Sequence, residues 1–255
     1  MCFPYDARPP IEPISGAAVN TSDVTLKSAD GAEFAAFSAS TDTPGGPAVV
    51  IMPDVRGLYP FYEELAERFA ERGIEAIAID YFGRTAGVGK RGEDFPYPDH
   101  VAQTKVEQIT ADVGAAVEYL RRGEASAMRP VFTVGFCFGG GNSWIQAAGG
   151  HGLNGVVGFY GHPTRPGRDD SPPPIDRVPE ITVPLLGLMG GADQGIPVEE
   201  VQKFEETLSK AEVEHEIYVY PGAPHSFFDR RFEEHADAAA DAWNRVLGFI
   251  EKNSR

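Results

Sequence analysis

Short apolar runs alternate with stripes of apolar residues at helical spacing along most of the chain. The runs favour buried strands, because each is only a few residues long and is bounded by turn-forming or charged residues. The dipeptide Asp30-Gly31 between the first two runs predicts a β-hairpin. The predicted strands are 24–27, 33–38, 48–52, 74–79, 131–134, 155–160, 184–189 and 215–220.

Several other segments place apolar side chains on one helical face. Phe61, Leu65 and Phe69 define the first of these, and Gly73 follows at the position typical of a helix cap. Because helices of this kind separate the later strands, the pattern predicts an α/β fold with a mostly parallel sheet of about eight strands and helices on both faces. The predicted helices are 61–72, 101–122, 198–210 and 232–251.

Two long segments show neither pattern. Residues 81–99 are rich in Gly, Pro and charge, and residues 161–184 are rich in proline. Both are predicted to be loops, and loops of such length are often functional. No internal repeat or linker divides the chain, so we expect a single domain over residues 21–255 after an N-terminal extension over residues 1–20.

The chain is acidic, with 38 Asp and Glu against 22 Lys and Arg and a formal net charge of −16. Such a surface repels phosphate backbones and anionic lipids, so we expect neither nucleic acid nor a membrane as a partner. No apolar run approaches the ~20 residues of a membrane-spanning helix. Residues 1–10 lack the apolar core of a signal peptide, and the expected location is the cytoplasm.

The clearest chemical signal surrounds Cys137, one of two cysteines; the other is Cys2, and so few cysteines fit a reducing compartment. Gly135, Cys137 and Gly139 fit G-x-C-x-G after a predicted strand, which is the nucleophile-elbow pattern with a thiol in place of a hydroxyl. The sharp turn strains the central residue and requires small neighbours. A following helix would favour a thiolate. Alternatively, Cys137 is a small buried apolar residue.

A nucleophile of this kind needs a base and an acid, which follow it along the chain in the order acid, then histidine. Asp193 follows the strand predicted at 184–189, and His225 follows the last predicted strand. Both positions belong to the carboxyl edge of a parallel sheet, where such sheets bind ligands. His151 and His162 are weaker rivals for the base.

Other interpretations of these two residues stay open. Asp193 could be an ordinary turn aspartate, and His225 could be a solvated loop histidine. The acids of the proline-rich segment at 161–184 fit the role of the triad acid less well. They are Asp169, Asp170 and Asp176.

The nucleophile also needs donors for an oxyanion. The backbone N–H groups of Phe138, directly after the cysteine, and of Val55, in the loop after the strand at 48–52, are the expected pair. No phosphate loop, dinucleotide turn, H-E-x-x-H or C-x-x-C pattern occurs in the sequence. We therefore expect no cofactor and no metal.

Three motifs together resemble the dienelactone hydrolase family of the α/β-hydrolase superfamily, over about residues 25–249. The resemblance implies the α/β-hydrolase fold and a catalytic triad of Cys137, Asp193 and His225. It also implies hydrolysis of an enol-lactone, such as 4-carboxymethylenebut-2-en-4-olide, to maleylacetate in the breakdown of chloroaromatic compounds. The motifs are Gly135-Phe-Cys-Phe-Gly-Gly140, Gly191-Ala-Asp193 and Pro224-His-Ser-Phe227.

The resemblance further implies residues that contact the substrate. Arg84 matches a family arginine that helps to hold a substrate carboxylate, and Ser226 matches the serine after the catalytic histidine. Asp54 stands where the best-known members carry a glutamate that interacts with the resting thiol. Asp229, followed by Arg230, stands where they carry a second arginine. The expected substrate-binding residues are Asp54, Tyr160, Arg84, Ser226 and Arg230.

These features predict a cysteine-dependent hydrolase of enol-lactones or related activated esters that acts through an acyl-thioester. The expected partner is a small-molecule lactone or ester, and the expected state is a monomer or a small homo-oligomer. One alternative keeps the triad for general carboxylic esters or thioesters. Another is a non-catalytic protein of the same fold that binds a small ligand.

Overall fold

One mixed sheet organises the part of the chain that the structure describes. The computed structural model describes residues 4–41 and 45–254, and Cys2 lies outside these ranges. Within them, the sheet contains eight strands. The strands are β1 (Val19–Lys27), β2 (Glu33–Thr41), β3 (Ala48–Met52), β4 (Glu75–Ile79), β5 (Val131–Phe136), β6 (Gly155–Phe159), β7 (Leu185–Gly190) and β8 (His215–Tyr220).

The order across the sheet is β1-β2-β4-β3-β5-β6-β7-β8. β2 pairs antiparallel with both β1 and β4, while every pairing from β4 through β3 to β8 is parallel. This confirms the predicted α/β sheet. β1 is longer than the predicted strand at 24–27, since its pairing begins with Val19 opposite Thr41. The early part of this edge strand is polar and exposed, so it lacks the apolar pattern that marks a buried strand.

Helices connect most of the parallel strands. Short 3₁₀ helices at Glu124–Ser126, Pro174–Glu180 and Glu233–His235 supplement the α-helices. No helix in the described ranges is both long enough and apolar enough to cross a membrane. The α-helices are α1 (Pro60–Ala70), α2 (Gly83–Ala86), α3 (Tyr97–Val101), α4 (Val106–Leu120), α5 (Phe138–Gln146), α6 (Val198–Lys210) and α7 (Ala236–Asn253).

Helices cover both faces of the sheet, and two glycines of β6 show which helix lies on which side. A Cβ atom on Gly155 would lie 2.7 Å from the ring of Phe249 in α7, whereas one on Gly158 would lie 2.5 Å from the ring of Trp144 in α5. Residues three apart in a strand point to opposite faces. α5 and α7 therefore pack on opposite sides, and each approaches the backbone of β6 closely.

The helix predicted over 101–122 is wrong at its start, because α3 ends at Val101 and α4 begins at Val106. Lys105 between them has extended backbone angles, φ −121° and ψ 138°. Oδ2 of Asp169 accepts a hydrogen bond from the N–H of Val106 at 3.0 Å and so caps α4. That partner lies 63 positions away along the chain.

The two predicted loops contain short helices, and the N-terminal residues pack against the core. Residues 81–99 include α2 and the start of α3, and residues 161–184 include the 3₁₀ helix at Pro174–Glu180. Ala7 and Ile11 are buried among the core side chains. β1 begins inside the segment expected as an extension, so the sheet includes the last residues of that segment.

Candidate active site

A sharp turn joins β5 to α5 at Cys137. The strand ends at Phe136 and the helix begins at Phe138, so Cys137 is the one residue between them. Its backbone has φ 55° and ψ −111°. This is a strained conformation for a residue with a side chain, and strain of this kind concentrates at functional sites. The turn places the thiol at the carboxyl end of a central strand and at the N-terminus of a helix.

The glycines on either side of Cys137 are required by the close approach of other backbone atoms. A Cβ atom on Gly135 would lie 2.0 Å from the carbonyl oxygen of Gly139. A Cβ atom on Gly139 would lie 2.1 Å from the carbonyl oxygen of Met52, at the end of β3. Both distances are far below van der Waals contact, so this elbow tolerates only glycine at these positions.

Asp193 and His225 lie in the loops that follow β7 and β8. Nδ1 of His225 is 2.6 Å from Oδ2 of Asp193, and the N–H of Gly195 donates to Oδ1 of Asp193 at 2.8 Å. Burial alone would raise the pKa of Asp193, but the hydrogen bond and charge of His225, together with backbone N–H groups, lower that pKa below its ordinary value. Asp193 is therefore ionised at neutral pH and orients the imidazole ring.

Cys137, Asp193 and His225 all line one cavity with a volume of about 690 Å³. The structure thus brings the three residues of the predicted triad to a single site, although they come from three different loops. The volume falls within the range of roughly 300–1,000 Å³ typical of small-molecule sites. The apolar part of the wall includes Val55, Val106, Ile109, Phe138, Ile145, Ile196 and Phe232.

The two predicted oxyanion donors lie at this cavity as well. Phe138 is the first residue of α5, and Val55 lies in the loop after β3. Among the described residues, neither backbone N–H has a hydrogen-bond acceptor. Two backbone donors therefore lie at the cavity that Cys137 also lines, which is what the predicted oxyanion hole requires.

Asp54 fixes the loop that carries Val55. It is fully buried, and its carboxylate accepts hydrogen bonds from the N–H of Arg56 at 2.8 Å and from the hydroxyl of Tyr59 at 3.1 Å. Its own N–H donates to the hydroxyl of Tyr62 at 2.9 Å. Burial raises the pKa of Asp54 to about 6, against the opposing effect of these hydrogen bonds. The side chain does not line the cavity.

Comparison with known proteins shows the family of the chain. The model of the Dienelactone hydrolase family matches residues 34–254. The chain belongs to the dienelactone hydrolase family. It is accordingly a hydrolase with the α/β-hydrolase fold, as the sequence motifs predicted.

Relatives of similar length support this membership. An Escherichia coli K12 protein named "Putative carboxymethylenebutenolidase" is 30% identical over 256 residues, which cover 96% of this chain and 94% of the relative. A Synechocystis protein of the same name is 32% identical over 213 residues, and the aligned region covers 78% of this chain and 83% of the relative. A solved structure from Klebsiella pneumoniae, "Putative Dienelactone Hydrolase", has a TM-score of 0.81 at 27% identity and covers 92% of this chain and 99% of its own.

Arg84, which matches the carboxylate-binding arginine of the dienelactone hydrolase family, is not at the cavity. Its guanidinium donates to both carboxylate oxygens of Asp30, at 3.0 Å each, and to both oxygens of Asp112, at 2.7 and 2.8 Å. Ser28 also donates to Asp112. The expectation that Arg84 holds a substrate carboxylate is corrected accordingly: two aspartates engage it, and it ties the β1–β2 turn to α4.

Arg230 is also directed elsewhere. It donates to the carbonyl oxygen of Pro9 and, at 2.7 Å, to Glu64 in α1, so it holds the N-terminal segment instead of completing a carboxylate clamp. Asp229, at the position of the family's second arginine, is buried and accepts a hydrogen bond from Arg231 at 3.1 Å. Neither Arg230 nor Asp229 lines the cavity.

Of the remaining predicted substrate residues, Tyr160 lines the cavity and Ser226 does not. The ring centroid of Tyr160 lies 4.9 Å from that of His225, so the tyrosine packs against the imidazole. Ser226 is buried and has a left-handed backbone conformation, φ 60°. Its position shapes the turn that carries His225, and its side chain is not at the cavity wall.

Several cavity residues were not foreseen from the sequence. Arg165 and Arg168 line the cavity, together with Asn142 and Gln194. His162, considered only as a rival base, lines it too. The two arginines and His162 belong to the proline-rich segment at 161–184, directly after β6. A strand end at the ligand-binding edge of the sheet was the signal that could have identified them.

No metal site accompanies these residues in the described ranges. Among them, no group of three or more His, Cys, Asp or Glu side chains is arranged to hold a metal ion.

Proposed function

We propose that this protein hydrolyses enol-lactones or related activated esters, with Cys137 as the nucleophile and His225 and Asp193 as base and orienting acid. One observation carries the proposal. The strained turn at Cys137 and the hydrogen-bonded pair of His225 and Asp193 line the same cavity, which matches the division of roles in a nucleophile–base–acid triad.

In the first half-reaction, the thiol of Cys137 transfers its proton to His225, and the resulting thiolate attacks the carbonyl carbon so that a C–S bond forms. The carbonyl oxygen takes the negative charge and receives hydrogen bonds from the N–H groups of Phe138 and Val55. The C–O bond then breaks. The leaving enolate or alkoxide takes a proton from the imidazolium of His225, and the acyl group stays on sulfur as a thioester.

In the second half-reaction, a water molecule attacks the thioester carbonyl. His225 accepts a proton from this water, and Asp193 stabilises the imidazolium that forms. The C–S bond breaks as the second tetrahedral intermediate collapses, which releases the carboxylic acid and restores the thiolate. An enol is a good leaving group, and for this reason a thiol nucleophile suits enol esters better than amides.

The relatives support the enol-lactone as the substrate class, because the E. coli and Synechocystis proteins are both named as carboxymethylenebutenolidases. A wider range of esters and thioesters is the second candidate. A cavity of about 690 Å³ with a largely apolar wall favours it, since a cavity of that size accommodates acyl groups larger than a small lactone.

A kinetic panel tests both candidates. A dienelactone, a neutral aryl acetate and an acyl thioester are compared on the wild type, on Cys137→Ala and on Cys137→Ser. The proposal predicts the highest kcat/KM for the lactone, and a loss of at least about 10³-fold for Cys137→Ala on every substrate. Higher kcat/KM for the neutral esters would favour the wider ester range. Turnover retained by Cys137→Ala would remove the cysteine from the reaction.

A further inference from the structure

Two exposed arginines line the cavity of a protein that is otherwise strongly acidic. The chain carries 38 acidic and 22 basic residues. Among the residues that line the cavity, Arg165 and Arg168 are permanent cations, while Asp193 is the one carboxylate and is already paired with His225. The cavity therefore presents positive charge to its contents inside a strongly acidic protein.

Neither guanidinium has a side-chain partner in the part of the chain that the structure describes. Within residues 4–41 and 45–254, no ion pair or side-chain hydrogen bond involves Arg165 or Arg168, although both side chains are exposed and five N–H donors are present on each. The carboxylates of Glu200 and Asp169 have other donors: Glu200 accepts a hydrogen bond from Thr164, and Asp169 accepts the N–H groups of Val106 and Ser171.

The segment that carries the two arginines is held in place. Asp169 caps α4 through the N–H of Val106, and the N–H of Gly167 donates to the carbonyl of Ser171 at 2.9 Å. The N–H of Ile175 donates to the carbonyl of Pro163 at 3.0 Å. These bonds fix both ends of the short stretch around Arg165 and Arg168, so the guanidinium groups are presented at the cavity by an anchored backbone.

His162 shows how closely this charge approaches the triad. Burial and then the positive charge of Arg165 lower the pKa of His162 below its ordinary value, and the charges of Asp193 and His225 also act on it. Arg165, Glu200 and the His225–Asp193 pair therefore all lie within electrostatic range of His162. An anionic group of a substrate that binds between Arg165 and Cys137 would therefore occupy the same cavity as the substrate carbonyl that reacts.

We propose that Arg165 and Arg168 form a subsite that binds an anionic group, such as a carboxylate, on the ester that the cavity hydrolyses. The apolar wall takes the body of the substrate, and the two guanidinium groups take its charged end. The substrate class is thus an ester with an apolar part and an anion separated from the reacting carbonyl. Arg84 does not supply this interaction, because Asp30 and Asp112 engage it outside the cavity.

This proposal rests on the proposed hydrolase function, and its test uses matched esters to separate the two. The first pair is mono-4-nitrophenyl adipate and 4-nitrophenyl hexanoate, in which the anion is on the acyl side. The second pair is 4-carboxyphenyl hexanoate and its methyl ester, in which the anion is on the leaving group. Each pair is measured on the wild type, on Arg165→Gln/Arg168→Gln and on Arg177→Gln, which alters an arginine of the same segment that pairs with Glu180.

In at least one pair, the wild type should prefer the anionic ester, and the double variant should lower kcat/KM for that ester by about tenfold, mainly through KM. The neutral partner should change by less than about twofold. High salt should reduce the preference in the wild type, because exposed charges are screened. Arg177→Gln should behave like the wild type.

Three results would overturn the subsite. The first is equal loss on anionic and neutral esters, which would indicate a structural role for the arginines. The second is an anion preference that the double variant retains, and the third is no anion preference in either pair. If the wild type hydrolyses the neutral esters and Cys137→Ala does not, the hydrolase proposal stands even when the subsite fails. If no ester is hydrolysed by any form, the hydrolase proposal fails first.

Discussion

Nδ1 of His225 lies 2.6 Å from Oδ2 of Asp193, although the two residues are 32 positions apart in the chain. The pairing forms because β7 and β8 are adjacent parallel strands, and the loops that follow them leave the sheet at the same edge. The orientation of the imidazole therefore depends on the register of two strands as well as on the identities of the two residues.

The Asp193→Asn variant should keep the fold and lose most of its turnover. An amide cannot stabilise an imidazolium as a carboxylate does, and it can hold the wrong tautomer of His225. By analogy with other triads we expect kcat to fall by about 10²–10⁴-fold, with a smaller change in KM. Asp176→Asn, which alters an exposed acid of the proline-rich segment, is the control and should leave kcat unchanged. Comparable losses in both variants would refute the role of Asp193.

Asp54 should make the stability of the protein depend on pH in a specific direction. Its pKa of about 6 in the folded state is above the ordinary value of 3.8, so between these values the folded state binds more protons than the unfolded state. Stability therefore falls as pH rises through this window, by up to about 3 kcal/mol for a single group. Urea unfolding from about pH 4 to about pH 7 measures the effect as the difference between the wild type and Asp54→Asn.

The matched control for this experiment is Asp94→Asn, which alters an exposed aspartate in the loop between α2 and α3. Its unfolding free energy should follow the wild type across the same pH range. If Asp54→Asn and the wild type show parallel pH profiles, Asp54 is not the source of the pH dependence, and its buried carboxylate is not protonated in this window.

Gly139 and Gly141, two positions apart in α5, should respond differently to alanine. A Cβ atom on Gly139 would lie 2.1 Å from the carbonyl of Met52, whereas one on Gly141 would have its nearest contact at 3.5 Å, with the carbonyl of His162. We expect Gly139→Ala to cost about 2–4 kcal/mol of unfolding free energy, and Gly141→Ala to be neutral or to stabilise the helix by up to about 1 kcal/mol. Equal effects in chemical denaturation would contradict the described elbow packing.

Arg84 should matter for stability and not for substrate choice. Replacing it with glutamine leaves Asp112, whose side chain is 1% exposed, without its ionic partner, and such a change costs about 3 kcal/mol. The second replacement Asp112→Asn should recover part of this loss, because the buried charge is then gone. The preference between mono-4-nitrophenyl adipate and 4-nitrophenyl hexanoate should stay as in the wild type. A lost preference would return Arg84 to the substrate site.

The parts of the structure that follow from local patterns were predictable from the sequence. The alternation of strands and helices is confirmed because each buried strand has its own apolar run. The elbow could be located because the turn at Cys137 requires glycine at positions 135 and 139. Backbone atoms of the turn itself and of the adjacent β3 leave no room there for a Cβ atom. Asp193 and His225 could be placed at one edge of the sheet because each follows a predicted strand.

The parts that depend on distant partners could not be predicted. Arg84 is directed away from the cavity by Asp30 and Asp112, which lie 54 and 28 positions away. Arg230 pairs with Glu64 at a separation of 166 positions. Family motifs indicate which residue type occupies a position, but a guanidinium is long and flexible, and the nearest carboxylates decide where it points.

Intact-protein mass spectrometry of an acid-quenched reaction tests the central role of Cys137 most directly. With 4-nitrophenyl hexanoate in excess, the wild type should gain the mass of one hexanoyl group, mapped to the peptide that contains Cys137 and removed by neutral hydroxylamine, as expected for a thioester. The Cys137→Ala protein should show no adduct. An adduct on another residue, or rapid turnover by Cys137→Ala, would contradict the account.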